Sequence, residues 1–369
     1  MNKINKIIIF ALCFFFFTSM NNYSQKIKEN NVFRLLSSLG VVSIQKGRFE
    51  LYISVMKNKD PEGKIVYKKH WNNIPLNMKT RIQFFDIDFK SKNLSFLKKL
   101  SNLYGIRISY SNFSNKHFKS IGKITNLKDL VLIKTKIDDV GLNNLKNYVN
   151  LERLQLNQPN LSGKGFSNFP YLKKLKTIDI NCSKKANDKL FYLAQLPLIE
   201  DISLFGKINE TGWSHLKNIP TLKKINCYGP HINNNVLKIL TQFKTWKTLT
   251  LYHVSTWSFT LKTDNKLSLR ILNVTGPGLK YLSGSGLIKL SLPKKFKDSD
   301  MKYLKTISDI EKLEILELSD INSKSCLKDL YFLKNLKHLI INKNIKRNDL
   351  ITIYNKIPTL KFSRSFNMD

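Results

Sequence analysis

The sequence predicts an α/β solenoid, in which short strands and short helices alternate and stack. The first observation behind this is a regular clock. An apolar-x-x-apolar-x-apolar triplet begins at Leu103, Leu127, Leu151, Leu175, Ile199, Leu222, Trp246, Leu269, Leu287, Leu313 and Leu336. The steps between these anchors are 24, 24, 24, 24, 23, 24, 23, 18, 26 and 23 residues, which marks repeated units rather than chance. The second is an apolar pair nine and six residues before an anchor. It occurs as Leu94/Leu97, Phe118/Ile121, Leu142/Leu145, Phe166/Phe169, Leu190/Leu193, Trp213/Leu216, Leu237/Leu240, Leu304/Ile307, Leu327/Leu330 and Ile351/Tyr354, the last ahead of a truncated repeat at Leu360. Third, 42% of the 369 residues are hydrophobic, which excludes a disordered chain. Alternation in the triplet makes a strand with one buried face, and the i, i+3 pair makes a short helix with one buried stripe. Neither face can be covered inside one unit, so neighbours must share a core.

Taken from the N-terminus, the first element is an address. Lys3 and Lys6 precede an unbroken apolar run, Ile7–Phe17, and polar Thr18, Ser19, Asn21 and Asn22 follow it. That pattern reads as a signal peptide over residues 1–24, cleaved near Ser24/Gln25. The run is shorter than the roughly 20 residues of a bilayer span, and no later stretch reaches that length, so no transmembrane anchor is expected. Cys13 lies inside the run in a poor lipid-attachment context, and Cys182, Cys227 and Cys326 remain as an odd set of buried, unpaired thiols.

Residues 25–93 fall outside the clock and are expected to cap the open end of the stack. Within them Phe49–Lys57 and Lys64–Lys68 flank Asp60-Pro61-Glu62-Gly63, a hairpin pattern, and Ile82/Phe85/Ile87 resembles a degenerate first repeat. Residues 94–369 form the repeat array. One stretch of it is irregular: Thr260 and Thr263 occupy apolar slots, Gly278 and Tyr281 occupy the next pair, and the step falls to 18. Gly276-Pro277-Gly278 and Gly284-Ser285-Gly286 mark altered turns there, which fits either a ligand-gripping loop or a decayed repeat.

The triplet, with following segments such as Thr135–Leu142, resembles the leucine-rich repeat family, in its exported bacterial type with short helices. The resemblance covers about residues 94–360. It implies a curved horseshoe with parallel strands on the concave face and short helices on the convex face. The family places asparagine three residues after the third apolar position. Here that slot holds Ser111, Thr135, Pro159, Ser183, Lys207, Pro230, Val254, Pro277, Lys295 and Ile321, with asparagine only at Asn344. Hydroxyls stand in for part of that turn ladder.

On such a strand, positions +2, +4 and +6 from the anchor point into the concavity. The +4 column from Gln155 through Asp179, Ser203, Asn226, Thr250 and Asn273 to Ser291 is a row of short polar groups. The +6 column holds Phe205, Tyr228 and Tyr252 in three consecutive repeats, an aromatic strip with the composition of a recognition surface. Asp179, Asn181, Asp201 and Asn226 lie beside it, and His253 and Trp257 lie in the irregular stretch next to it. These nine residues are the candidate ligand-binding set. The alternative is that the rings only pack on one another.

Charge does not point to nucleic acid. The chain carries +36, with 62 Lys+Arg against 26 Asp+Glu, but only eight of the 62 are arginine, the residue specific base readers favour. The concave positions balance, with Arg107, Arg153, Lys224 and Lys289 against Asp129, Asp179, Asp201 and Glu317. The excess lies on turns, as at Lys184-Lys185 and Lys294-Lys295. No metal, P-loop or nucleophile-elbow motif is present, so no cofactor and no catalytic residue is expected. The sequence therefore suggests an exported, non-enzymatic binding protein for a protein, a peptide or a glycan. The alternatives are an exported enzyme acting through residues 25–93 or 252–286, and a purely structural envelope component.

Overall fold

The structure, a computed structural model, describes residues 41–46, 50–56, 79–90, 92–100, 102–158, 161–243, 245, 247–254, 267–271, 279–280, 282–283, 285–292, 296–318, 324–341, 347–357 and 360–364. The expected signal peptide and Trp257 lie outside these residues.

Fifteen strands form one sheet in chain order. Strands β1 (Val41–Lys46) and β2 (Glu50–Met56) pair antiparallel, and β2 pairs parallel with β3 (Lys79–Phe85). Next come β4 (Leu103–Ser109), β5 (Asp129–Ile133), β6 (Arg153–Asn157), β7 (Thr177–Cys182) and β8 (Asp201–Gly206). They are followed by β9 (Lys224–Ile232), β10 (Thr248–Val254), β11 (Leu267–Ile271) and β12 (Leu287–Leu292). The stack ends with β13 (Ile315–Leu318), β14 (His338–Ile341) and β15 (Lys361–Arg364). Every pair from β2 onward is parallel, as a chain of strand–turn–helix units requires.

One apolar ladder fixes the register. It runs from Ile53 through Ile82, Ile106, Leu130 and Leu154 to Leu316 and Leu339, and each of these is at most 1% exposed. A second ladder two residues on includes Phe84, Ile108, Leu132, Leu156 and Ile180, all fully buried. Each such side chain contributes about 1.5–3 kcal/mol on burial, so a slip that turned a strand over would be costly.

The outer layer is made of short helices, many of them 3-10: Ser95–Lys99, Gly141–Asn147, Lys164–Tyr171, Lys184–Gln195, Asp298–Ile307 and Lys324–Phe332. Three residues per turn is the period that an i, i+3 apolar pair satisfies without further partners. The pairs Leu94/Leu97 through Leu237/Leu240 are buried against the strands. Two α-helices begin on asparagine caps: Asn209 accepts from Gly212 N (3.1 Å) and Asn233 from Val236 N (2.9 Å).

The structure shifts several sequence expectations. Leu269 is not an anchor but the partner of Leu249, with Ile271 opposite Leu251, so by count along the sequence the anchor slot falls at Lys266, outside the described residues. The steps around it become 20 (Trp246 to Lys266) and 21 (Lys266 to Leu287) instead of 23 and 18. Arg270, not Asn273, then pairs with Thr250. In the next helical segment Leu279 and Leu282 are buried, one residue on from the expected Gly278/Tyr281 pair. Near the C-terminus Ile351 and Tyr354 are both 52% exposed, while Ile353 is buried and Leu350 packs on the core, because Arg347–Lys356 is an α-helix with a different stripe. In β3, Ile82 and Phe84 face inward and Phe85 outward, so the first repeat reads Ile82/Phe84. β2 pairs with β1 on one edge and β3 on the other, and the expected hairpin partner at Lys64–Lys68 lies outside the described residues.

The turn ladder is rebuilt from hydroxyls and amides. Ser111 Oγ accepts from Ile87 N in the preceding repeat and donates to Ser109 O, both at 2.9 Å. Gln158 accepts from Thr135 N and donates to Thr135 Oγ1 (2.6 Å), and Ser183 Oγ donates to Leu161 O (2.8 Å). Asp86, Tyr110 and Lys134, equivalent residues in three consecutive turns, share φ of 51°, 55° and 47°, and Gly206 takes the same slot at 106°. At that slot the turn demands positive-φ backbone.

Candidate functional site

On the sheet face opposite the apolar ladders lies a hollow of about 550 Å³. It extends from Arg153 on β6 to Glu317 on β13. Its lining is the outward set of those strands. Thr177, Asp201, Lys224, Thr248, Ser268 and Lys289 come from the +2 column, and Asp179, Ser203, Asn226, Thr250, Ser291 and Glu317 from the +4 column. Strand alternation puts them there: the residues between them are the buried ladder.

Ion pairs run across the strands. Arg81 Nη2 meets Asp129 Oδ2 at 2.8 Å, and Arg153 bridges Asp129 (3.3 Å) and Asp179 (3.2 Å). Inside the hollow Lys224 pairs with Asp201 (3.2 Å) and Lys289 with Glu317 (3.6 Å). Burial raises the Asp201 carboxyl above its ordinary value against the pull of Lys224, and the neighbouring Asp179 charge adds to the rise. Asn226, 6% exposed, donates to Ser203 Oγ at 2.9 Å and to Asp201 Oδ1 at 3.3 Å. Ser291 donates to Glu317 Oε2 at 2.8 Å.

The candidate residues fall into three groups. Asp179, Asp201, Asn226 and Tyr228 line the hollow. Phe205 and Asn181 stand beside it: the Phe205 ring stacks on Tyr228 with centroids 4.0 Å apart and planes 9° from parallel, and Asn181 Nδ2 donates to Asn157 Oδ1 at 2.9 Å. The backbone of Tyr252 is paired with Tyr228, and His253 sits at a shift of register between β9 and β10. The Tyr252 and His253 side chains, and all of Trp257, lie outside the described set. Sequence reasoning missed Arg81, because the first repeat was read out of register, and Ser268 and Arg270, because Leu269 mimics an anchor. The Ile82/Phe84 alternation was the available signal for Arg81.

Cys227 is a free, buried thiol whose pKa burial pushes well up, as expected for a core cysteine rather than a nucleophile. Among the described residues no three of His, Cys, Asp and Glu stand together as a metal group, and no helix is long and apolar enough to cross a membrane.

No family model matches the chain, and no curated protein does. Solved structures similar to it include an internalin from Listeria monocytogenes, with 15% identity, a TM-score of 0.40, and coverage of 86% of this chain and 87% of that one. Another is a leucine-rich-repeat protein from Leptospira interrogans, with 17% identity, a TM-score of 0.31, and coverage of 78% and 90%. The assignment rests on the chain itself: a repeat of about 24 residues, one parallel strand per repeat and a short helix behind it. By that architecture the fold is a solenoid of the leucine-rich-repeat type.

Proposed function

We propose that the chain is an exported, non-enzymatic recognition protein that holds a polypeptide partner in the hollow on its sheet face. The observation that carries this is the hollow itself: about 550 Å³, lined by side chains from eight consecutive strands and bordered by the Phe205–Tyr228 stack. A surface assembled from many repeats suits an extended partner, and the ring pair beside it supplies apolar area at low entropy cost. The exported location is supported by the basic-then-apolar start, Lys3 to Phe17.

The test is capture from envelope extracts on immobilised full chain, followed by titration calorimetry with each purified partner. Phe205→Ala/Tyr228→Ala/Tyr252→Ala is expected to lose the partner while melting as a folded solenoid. Equal affinity of the wild type and the triple variant for every captured protein would refute the site.

A further inference from the structure

We infer that the middle of the hollow is a subsite for the main chain of an extended peptide, with the Thr250 hydroxyl as its hydrogen-bonding group. This rests on the reading of the hollow as a polypeptide site. Four polar residues of the +4 column are almost fully buried: Ser203 (5% exposed), Asn226 (6%), Thr250 (6%) and Ser291 (5%). Asn226 is bonded to Ser203, and Ser291 to Glu317. Thr250 lines the same hollow, and its hydroxyl has no side-chain partner among the described residues. On the wall of the hollow, that hydroxyl can offer one donor and one acceptor to a group from outside the fold.

The surroundings narrow what that is. Thr248 and Ser268, paired across β10 and β11, bring only short hydroxyl side chains to this part of the floor. On either side stand ion pairs that satisfy themselves, Lys224 with Asp201 and Lys289 with Glu317. The lining charges balance, three bases (Arg153, Lys224, Lys289) against three acids (Asp179, Asp201, Glu317). Counted with these six, Arg270, placed in the Thr250 column by register, brings the set to +1 against the chain's +36. The hollow is therefore not built to gather a polyanion. A peptide group fits: it is neutral, flat, and both donor and acceptor. From β9 to β12 is three strand spacings, roughly 14 Å, or about four extended residues. The nearby rings favour a peptide over a sugar, because Phe205 and Tyr228 cover each other's inner faces.

The test uses the full chain and a display library of random linear peptides. The wild type should enrich peptides whose binding falls about tenfold in Thr250→Val and returns in Thr250→Ser, as loss and recovery of one hydrogen bond requires. N-methylation of a central amide of an enriched peptide should weaken wild type and leave Thr250→Val little further affected. Thermal melts of both variants should match wild type. If Thr250→Val binds enriched peptides as wild type does, while the triple aromatic variant loses them, the subsite is wrong and the recognition reading stands. If no peptide is enriched and neutral oligosaccharides bind wild type but not Thr250→Val, the peptide assignment is wrong. If neither class binds, both readings fall.

Discussion

The block from β4 to β9 and the block from β10 to β12 differ in rhythm, yet one buried rung runs through both. In the first, anchors recur at 24 or 23 residues and strands pair position for position. In the second the steps shorten to 20 and 21, with shifts between Tyr252 and Val254 and between Leu267 and Ser268. Yet Leu249, Leu269 and Leu290 still form one buried rung. The lesson is that shared burial pins the strands while the connections absorb changes of length. The hollow spans both blocks because the outward column is pinned with them.

The largest expected effects ask whether the irregular block belongs to the same core. Leu190 and Leu279 are both fully buried in the helical layer. Leu190→Ala and Leu279→Ala should each cost about 2–5 kcal/mol, read from denaturant unfolding. A loss under about 1 kcal/mol at Leu279 alone would break the comparison, because it would place that block outside the stack. Next in size is Asp129, held between Arg81 and Arg153. Asp129→Asn should cost about 1–2 kcal/mol, above the worth of an exposed pair and below that of a buried one, since both arginines are more than a third exposed.

Asn233→Ala, which removes the cap ahead of β10, should cost about 1 kcal/mol. Tyr148 is buried, stacked on Phe118 at 5.6 Å, and its hydroxyl has no partner among the described residues. Burial accordingly pushes its pKa up. Tyr148→Phe should be neutral or stabilising by up to about 1 kcal/mol, measured in the same melts.

The smallest effects concern pH, and the signs differ across the sheet. Burial raises the folded-state pKa of Asp201, so protonation favours the fold there. That contribution is full below the unfolded carboxylate pKa and lost as pH rises through the folded one. Asp201→Asn should therefore equal or exceed wild-type stability at neutral pH, and the difference should shrink on acidification. Glu152 is the reverse: Lys128, at 2.6 Å, lowers its pKa. Its contribution is present above the unfolded value and lost as pH falls through the folded one, so Glu152→Gln should cost a little at neutral pH and nothing in acid.

How much could be read in advance follows the same division. The buried triplets and most helical pairs were legible because burial imposes a period on sequence. The Phe205–Tyr228 adjacency was legible for the same reason, since equal steps bring equal positions together. What failed did so where two registers were equally apolar: Leu269/Leu272 imitates an anchor pair, and only the pairing of Leu249 with Leu269 decides. Ile351/Tyr354 failed because an α-helix turns a different stripe inward than a 3-10 turn does. The Gln158 and Ser111 turn bonds, and the Arg153 bridge between Asp129 and Asp179, depend on where long or rotatable side chains reach across repeats, which spacing does not encode.

The central claim is that one outward polar column crosses the irregular block unbroken, with Thr250 beside Arg270. Paired cysteines test it, because a disulfide needs Cα atoms within about 7 Å. Under mild oxidation Thr250→Cys/Arg270→Cys should cross-link, whereas Thr250→Cys/Asn273→Cys should not. Cross-linking of the 250/273 pair with none at 250/270 would put the strand in the other register and contradict the account.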